Sequence, residues 1–519
     1  MATMTEPRPV PGNSGEGSGA QDTAFFGHPR GLSTLFFTEM WERFAYYGMR
    51  AILILFMTAT VADGGLGFDV ARAGAIYGTY VALVYMLSLP GGWVADKILG
   101  LRRAVLYGGV LIMCGQLCLA VPGSGFFYPG LAFIILGTGL LKPNVSAIVG
   151  DLYTAADLRR DAGFSIFYMG INLGAFISPL IVGWLAQGAG WKSTLQGMGL
   201  NPANSWHWGF GVGAIGMFCG LIQYVLGWKH LGTAGVYPSV RPSSPEGTAV
   251  RRQFWLGAAA LVAVVGTVAS LVRSGVLTVD TVTNAFSWLY AVVVVAFFVA
   301  LFSLGQWTRD ERKRLVVIVV LFAGAAIFWS AFEQAASTLN LFAQQNTRNS
   351  VLGWTFPASW FQSVNALMII GLAPVAAWVW LKLGQRDPSS PTKFAFGLFF
   401  VALGFFVMMG AAAANAGGTR VSPMWLVLTY LCHTVGELCL SPVGLSSMTR
   451  LAPDRVKGMM MGVWFLATSV GNLIAGRVAG LYESFTLVQL FGAVTTFALV
   501  ASVVMFLLVR PIREMLARE

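Results

Sequence analysis

The sequence predicts an all-α membrane protein with fourteen transmembrane helices, and three observations lead to that prediction. Of the 519 residues, 56% are hydrophobic and only 11% are charged, whereas soluble domains carry about 25% charged residues. The mean hydropathy is +0.69, and a soluble chain this apolar would lack the polar residues to cover its surface. Apolar segments of about 20 residues recur along the whole chain, and each is long enough to cross a bilayer as a helix.

The apolar segments set the order of the elements. The predicted spans are 31–60, 72–96, 104–121, 127–148, 163–187, 208–228, 253–272, 284–304, 315–343, 355–381, 394–414, 423–447, 458–481 and 486–509. Two long connections, 229–252 and 305–314, bracket spans seven and eight. These two spans contain no acidic residue, so they are interpreted as lipid-facing additions. Without them six spans remain on each side, a plan that large transporters often use, with the substrate site at the midplane between the halves.

The predicted domain organisation follows from that count. A Gly-, Ser- and Pro-rich tail at 1–26 is expected to be disordered, and a short tail covers 511–519. The first six-helix bundle spans 27–230, the two extra helices with their linkers span 231–312, and the second bundle spans 313–510. No apolar segment with a cleavage site precedes the first span, so no secretory signal peptide is predicted.

Lysine and arginine are distributed very unevenly between the two sides of the predicted membrane. Twenty-four of them fall in the tails and in the connections on one side, and four fall in the connections on the other. By the positive-inside rule this places both termini in the cytoplasm, in a multi-pass protein of the cytoplasmic (inner) membrane. The net charge of +11 is therefore a topology signal and does not indicate a nucleic-acid partner. The five cysteines lie in hydrophobic spans, with no disulfide or metal-site spacing.

The first span carries an unusual stripe of ionisable residues. Positions 39, 42, 43, 46, 47 and 50 share one face of a helix, and they hold Glu39, Glu42, Arg43, Tyr46, Tyr47 and Arg50. An ionised side chain at the bilayer centre costs roughly 2.5–3.5 kcal/mol, so this face must lie against protein, water or other charges. One interpretation is an internal ion-pair cluster that only joins helices. The favoured one is a proton-binding site, because crowded, desolvated carboxylates favour the protonated form.

Other spans contain isolated polar residues that are costly to bury alone. They are Lys142, Asn172, Glu333, Asn365, Glu437 and Ser441. We expect the charged ones to meet in a central cavity. For Asn365 and Ser441, hydrogen bonding between helices is an equally open alternative.

Several motifs carry a family resemblance. The connection GGWVADKILGLRRAVL after span two resembles a loop of the major facilitator superfamily, with matches at Asp96, Lys97, Gly100, Arg102 and Arg103. ExxER in the first span, FYMGINLGA in the fifth, Trp-x-x-x-Glu ending at Glu333 and GELCLSP from Gly436 together resemble the proton-dependent oligopeptide transporter family, of bacterial type. The resemblance covers residues 30 to 510 and implies a major facilitator fold: two six-helix bundles with two extra helices between them.

The resemblance implies a role for each matching residue. Glu39, Glu42, Arg43 and Glu333 would couple protons. Arg50 and Lys142 would hold a peptide carboxylate, and Glu437 with Asn172 and Asn365 would hold its ammonium group. Tyr47, Tyr85, Tyr168, Trp329 and Trp464 would line side-chain pockets, and Ser441 would complete the substrate site. Arg50–Glu333 and Lys142–Glu437 would act as alternating outer and inner gates.

The chemistry of these residues agrees with a proton-coupled symporter of di- and tripeptides that needs no cofactor beyond protons. A cavity with cations on one side and a carboxylate with amides on the other is complementary to a zwitterion whose ends lie at most ~3.6 Å per residue apart. Peptide-like drugs are further candidate substrates, and a monomer is expected to suffice. Span two lacks the histidine that animal members carry, so proton coupling here should rest on carboxylates. His433, one turn before Glu437, has no further ligands near it in sequence that would predict a metal site.

Rival interpretations remain. A drug:proton antiporter would be expected to use an acidic, aromatic cavity, and Arg50 with Lys142 argues against it. A transporter of another substrate, such as nitrate, is a second alternative, although Glu437 and the complete ExxER motif favour peptides. We find no nucleophile–base arrangement, HExxH motif or phosphate loop, so neither an enzyme nor an ATP-driven pump is predicted. A channel would not need paired charges on facing halves.

Overall fold

The computed structural model describes residues 22–154, 157–240, 243–453, 456 and 459–516. Fourteen helices of at least 17 residues are present in these ranges. They are α1 (Arg30–Thr58), α2 (Val70–Met86), α4 (Leu101–Ala120), α5 (Phe127–Asp151), α6 (Arg160–Gln187), α8 (Ser205–Gly227), α9 (Pro245–Arg273), α10 (Val279–Leu304), α11 (Arg309–Phe332), α13 (Gln362–Leu383), α14 (Ser390–Asn415), α15 (Met424–Leu451), α16 (Met460–Ala479) and α17 (Leu487–Leu516).

Shorter elements connect the long helices. They are α3 (Ser88–Val94), α7 (Ala189–Gly197), α12 (Thr338–Gln345), a π-helical turn (Ala95–Leu99), and 3₁₀ turns at Ser124–Phe126, Pro202–Asn204, Trp228–Leu231, Glu333–Ala336, Ala358–Phe361 and Gly384–Arg386. A small antiparallel hairpin pairs β1 (Ser350–Val351) with β2 (Trp354–Thr355).

Each of the fourteen predicted spans corresponds to one long helix or helix series. Twelve helical segments among the described residues are long and apolar enough to cross a membrane. The other two, α1 and α16, have 29 and 20 residues, which is also sufficient length. The charged stripe of α1 interrupts its apolar character, and 22 of the 29 residues of that helix are buried.

Several predicted boundaries need correction. Span two is divided, because α2 ends at Met86 and α3 restarts at Ser88. Span nine is divided at Glu333–Ser337, where Ser337 leaves the helical conformation with φ −123° and ψ −90°. The predicted C-terminal tail is helical as far as Leu516, because α17 continues past Pro511.

The predicted N-terminal tail also begins to be ordered earlier than expected. Residues 1–21 lie outside the described residues, as do 517–519 at the other end. From Asp22 onward the chain is held in place, because the Asp22 carboxylate accepts a hydrogen bond from the Arg30 amide at 2.9 Å. Phe25 and His28 form a β-bridge just before α1 begins.

The helices pack in two groups. Within the first, α1 contacts α6 and α8 while α4 contacts α5; within the second, α14 contacts α15 and α17. The groups meet where α2 lies against α16 and α6 lies against α13. We call the end of the molecule where α1 ends at Thr58 and α2 begins at Val70 the outer end.

The two groups are joined tightly at the outer end. Ser363 donates to the Phe176 carbonyl at 2.7 Å, and Asn340 donates to the Ala51 carbonyl at 2.8 Å. The backbones of α2 and α16 also approach closely, through a contact that we call the outer seam, formed by Gly74, Gly78, Gly476 and Gly480. A Cβ atom built on Gly74 would lie 2.6 Å from the Gly476 carbonyl oxygen, so only glycine allows this separation.

Candidate functional site

The charged stripe of α1 forms a buried cluster of two carboxylates around one guanidinium. Arg43 Nε lies 3.0 Å from Glu39 Oε1 and also contacts Glu42 Oε2. All three residues are at most 3% exposed. Glu39 Oε2 and Glu42 Oε1 are buried without a hydrogen-bond partner. The cluster therefore carries one surplus formal negative charge in a low-dielectric environment.

The second pair joins the two groups of helices. Arg50, two turns further along α1, forms an ion pair with Glu333 of the other group. Arg50 Nε also donates to the Tyr77 hydroxyl of α2 at 2.8 Å. The break after α11 places Glu333 here, since this residue ends that helix and begins a 3₁₀ turn.

A central cavity of about 110 Å³ lies beside this ion pair. Seven of the predicted site residues line it: Tyr47, Arg50, Tyr85, Trp329, Glu333, Asn365 and Glu437. The structure therefore brings together residues from five predicted spans. Five further residues line the cavity that the sequence analysis did not select: Phe332, Ala335, Gln362, Tyr430 and His433.

Glu437 lies at the end of the cavity provided by the second group of helices, and its neighbours are neutral. The Asn365 amide donates to Glu437 Oε2 at 3.1 Å and to the Thr434 hydroxyl at 3.0 Å. Among the described residues Glu437 has no cation within ion-pair distance. A carboxylate held by an amide alone can accept a further cationic group.

Lys142 does not pair with Glu437 in this structure. Its Nζ lies 3.7 Å from the centroid of the Tyr85 ring and 5.7 Å from that of Phe465. In the described part of the chain this ammonium group makes no ion pair. Of the two predicted gates, the structure thus contains Arg50–Glu333 but not Lys142–Glu437, and the alternation of the two stays a prediction.

The remaining predicted residues lie outside the wall of the cavity. Tyr168 is 45% exposed, and its carbonyl accepts a hydrogen bond from the Asn172 amide at 3.0 Å. Ser441 lies one turn beyond Glu437, with its hydroxyl buried and unpartnered. Trp464 is 7% exposed and packs against Gly444. Their substrate roles stay predictions.

The sequence contains a pattern that could have identified the residues that the sequence analysis did not select. Tyr430 and His433 precede Glu437 by seven and four positions, and Gln362 precedes Asn365 by three, so each shares a helix face with a predicted residue. Tyr77 lies two turns before Tyr85 on α2. In the ranges that the structure describes, no group of three or more His, Cys, Asp or Glu could hold a metal ion.

Comparison with known proteins gives a consistent result. The family model "POT family" matches residues 102–497. The chain is 44% identical to a peptide transporter of Yersinia enterocolitica over 95% of this chain and 96% of the relative. It is 38% identical to a di-/tripeptide transporter of Lactococcus lactis over 95% and 98%.

The fold agrees with the sequence comparison. A crystal structure of a peptide transporter POT in complex with sulfate superposes with a TM-score of 0.86 at 43% identity, covering 96% of this chain and 99% of that one. The predicted fold, an all-α membrane protein of the major facilitator type, is confirmed. The chain belongs to the POT family.

Proposed function

We propose that this protein is a secondary transporter that imports di- and tripeptides together with protons by alternating access. The observation that carries the proposal is the central cavity between the two groups of helices. Arg50 of α1 lines it from one group, and Glu437 of α15 lines it from the other. A buried carboxylate cluster lies two turns before Arg50 on the same helix face.

The cavity is complementary to a zwitterionic peptide. The carboxylate end of the peptide binds Arg50 and Lys142, and its ammonium end binds Glu437, whose hydrogen bond from Asn365 leaves acceptor capacity free. Side chains of the peptide pack against Tyr47, Tyr85 and Trp329, with Trp464 and Tyr168 at the margins. Because the termini and backbone are recognised by charge, the selectivity for side chains is broad and extends to peptide-like drugs.

Proton binding and peptide binding are linked through ion pairs. A proton neutralises one carboxylate of the Glu39–Glu42 cluster, which weakens its hold on Arg43. A proton on Glu333 releases Arg50 in the same way. The membrane potential contributes about 2.3 kcal/mol per charge per 100 mV to inward movement. No cofactor takes part, and a single chain suffices.

The direction of transport follows from the distribution of basic residues. With both termini in the cytoplasm, the tightly packed outer end faces the exterior of the cell. The Arg50–Glu333 pair then belongs to a conformation that is closed to the outside. Lys142 reaches Glu437 when the inner end closes instead. A small anion such as nitrate is the alternative substrate, and the carboxylate of Glu437 in the cavity disfavours it.

Uptake of labelled dialanine into proteoliposomes, with and without an inward proton gradient, tests the proposal. The wild type should accumulate the peptide only with the gradient, and Glu42→Gln should lose accumulation while retaining peptide exchange. Glu483→Gln makes the same chemical change at an exposed position between α16 and α17 and should behave as the wild type. Absence of di- and tripeptide uptake would contradict the substrate, and gradient-independent accumulation would contradict the coupling.

A further inference from the structure

The second extra helix, α10, packs against the protein along one narrow stripe. Thr283 and Tyr290 are 6% and 3% exposed, and Leu301 is 9% exposed, while most other residues of α10 are exposed. The spacing of seven and eleven residues places these three on one helix face. By contrast, α9 buries only Gly247. The exposure of α9 is compatible with the lipid-facing interpretation, which stays a prediction, but α10 has one face in contact with protein.

The first part of that contact is an arginine from α16. Arg477 Nη1 donates to Asn284 Oδ1 at 2.6 Å, and its Nη2 donates to the Thr283 carbonyl and to the Ser287 hydroxyl, each at 2.6 Å. Among the described residues this guanidinium has no carboxylate within ion-pair distance. Its three hydrogen bonds, which are of the stronger charge-assisted kind, attach α10 to the outer end of α16.

The second part is a relay of two hydroxyl groups. Tyr290 of α10 donates to Ser469 Oγ of α16 at 2.5 Å, and Ser469 donates to the Ala82 carbonyl of α2 at 2.7 Å. A serine hydroxyl has one proton. Because Ser469 accepts from Tyr290, its own proton is free to point at Ala82. Tyr290 thereby orients a hydrogen bond that crosses from α16 to α2.

The contacts of Arg477 and of Tyr290 both lie beside the outer seam. Tyr290 packs in one apolar cluster with Ala82 of α2 and Leu473 of α16, one from each side of the seam. The glycine contact of the seam brings backbone against backbone, since a Cβ atom on Gly78 would lie 2.9 Å from the Gly476 Cα. If the outer end opens, α2 and α16 must separate, and the Ser469–Ala82 hydrogen bond must break.

We propose that α10 stabilises the closed outer seam, with Tyr290 and Arg477 as positioning residues for the transport cycle. The hydrogen bonds of Arg477 and Tyr290 join α10 to α16, and the backbone of α10 packs against α2, so α10 bridges the two sides of the seam. In the closed conformation it presents Tyr290 to α2 and fixes the proton of Ser469. Loss of these contacts shifts the population toward the outward-open conformation. This inference rests on the alternating-access mechanism proposed above.

The direct test is a distance measurement between the two sides of the seam. Ketone-bearing amino acids introduced at positions 62 and 484, both exposed at the outer end, carry the two spin labels. Because these labels do not react through thiols, the five native cysteines stay in place. Double electron–electron resonance spectroscopy of the full chain in lipid nanodiscs then gives the distribution of distances between the two labels, and hence the closed and open populations. Tyr290→Phe keeps the ring but removes the hydroxyl that orients Ser469. The Ser469–Ala82 hydrogen bond across the seam is then no longer fixed, and its loss should lower the closed-to-open ratio about fivefold, as expected for one hydrogen bond.

Two other variants complete the series. Arg477→Gln should lower the ratio at least as much, and Tyr237→Phe, at an 82% exposed position in the linker before α9, should leave it unchanged. Unchanged distances in both Tyr290→Phe and Arg477→Gln would overturn the inference. So would an equal shift in Tyr237→Phe. Because this measurement uses no peptide, it stands even if the proposed substrate is wrong.

A kinetic measurement separates positioning from mere structural support. The apparent Kd for an external ligand falls when the outward-open fraction rises. In proteoliposomes, Tyr290→Phe should therefore lower KM for external dialanine and also lower the maximal rate, because closure has become harder. A purely structural defect would reduce the amount of active protein and leave KM unchanged, and that result would contradict a positioning role.

Discussion

Replacing one glycine of the outer seam should prevent the outer end from closing. A Cβ atom on Gly476 would lie 2.5 Å from the Gly74 carbonyl oxygen and 2.6 Å from the Gly78 amide nitrogen. Ordinary van der Waals contacts are about 3.5–4.0 Å, so in Gly476→Ala the two helices must move apart by about 1 Å. The obstructing atoms are backbone, which cannot rotate away as a flexible side chain can.

The free-energy cost of the added methyl group can be compared with the free-energy differences that control conformational equilibria. Inserting a methyl group into a well-packed contact costs typically 1–3 kcal/mol. A free-energy difference of that size changes the ratio of closed to open molecules by about 5- to 150-fold. Alanine also favours a helix over glycine by about 1 kcal/mol, but this gain is the same in both conformations and leaves the ratio unaffected.

Hydrogen–deuterium exchange of the protein in nanodiscs measures the opening directly. Segments 70–80 and 470–482, which contain the four seam glycines, should exchange faster in Gly476→Ala than in the wild type. Peptide accumulation should fall as well. Gly266→Ala is the matched control, because Gly266 also lies in a helix and has no atom within 4 Å of its added Cβ. Unchanged exchange in both seam segments of Gly476→Ala would refute the reasoning.

Three further predictions concern the site and the N-terminal segment. Asn365→Leu removes the hydrogen-bond donor to Glu437, and the loss of one hydrogen bond to a charged group, about 1.5–3 kcal/mol, should raise KM for dialanine at least tenfold in uptake assays. Lys142→Gln removes a cation near the cavity, and in competition assays it should weaken uptake of dialanine but not of dialanine amide. The control is Lys382→Gln, which also removes a lysine lying over a ring and should leave the uptake of both compounds unchanged. Hydrogen bonds from Arg159 hold the pKa of Asp157 below its ordinary value of 3.8. Arg159 also donates to the Gly27 carbonyl at 3.1 Å, so Asp157 orients the side chain that holds the N-terminal segment. The Asp157–Arg159 contact is complete above that pKa value and lost only as the pH falls below it, so protease cleavage near residues 22–29 should not change between pH 5 and 8 but should increase in Asp157→Asn.

The outcomes that would contradict these predictions are specific. An unchanged KM in Asn365→Leu would mean that Glu437 is held by other groups. Equal weakening for dialanine and its amide in Lys142→Gln would separate Lys142 from the peptide carboxylate. Protease sensitivity that rises between pH 8 and 5 in the wild type would show that a group other than Asp157 controls the segment.

The sequence by itself determined the helices and the unusual character of the first one. Apolar length predicts where a chain crosses a bilayer, and the period of the helix places Glu39, Glu42 and Arg43 on one face before any packing is known. These residues are indeed in contact, because neighbours at three and four positions meet in any helix. Isolated polar residues likewise identified Glu333, Asn365 and Glu437 of the cavity wall, since burial of a lone polar or charged group is costly in any arrangement, whereas Tyr85 and Trp329 were implied only by the family resemblance.

The tertiary structure alone decided which distant groups meet. The family resemblance implied both Arg50–Glu333 and Lys142–Glu437, but in the structure only Arg50 makes its pair, 283 positions away, while Lys142 lies on an aromatic ring. Such pairs depend on the rotation and separation of helices, which local periodicity does not specify. The break at Glu333, the outer seam and the protein-facing stripe of α10 became visible only once the two groups of helices were packed together, because backbone contacts through glycine leave no hydrophobic pattern in the sequence.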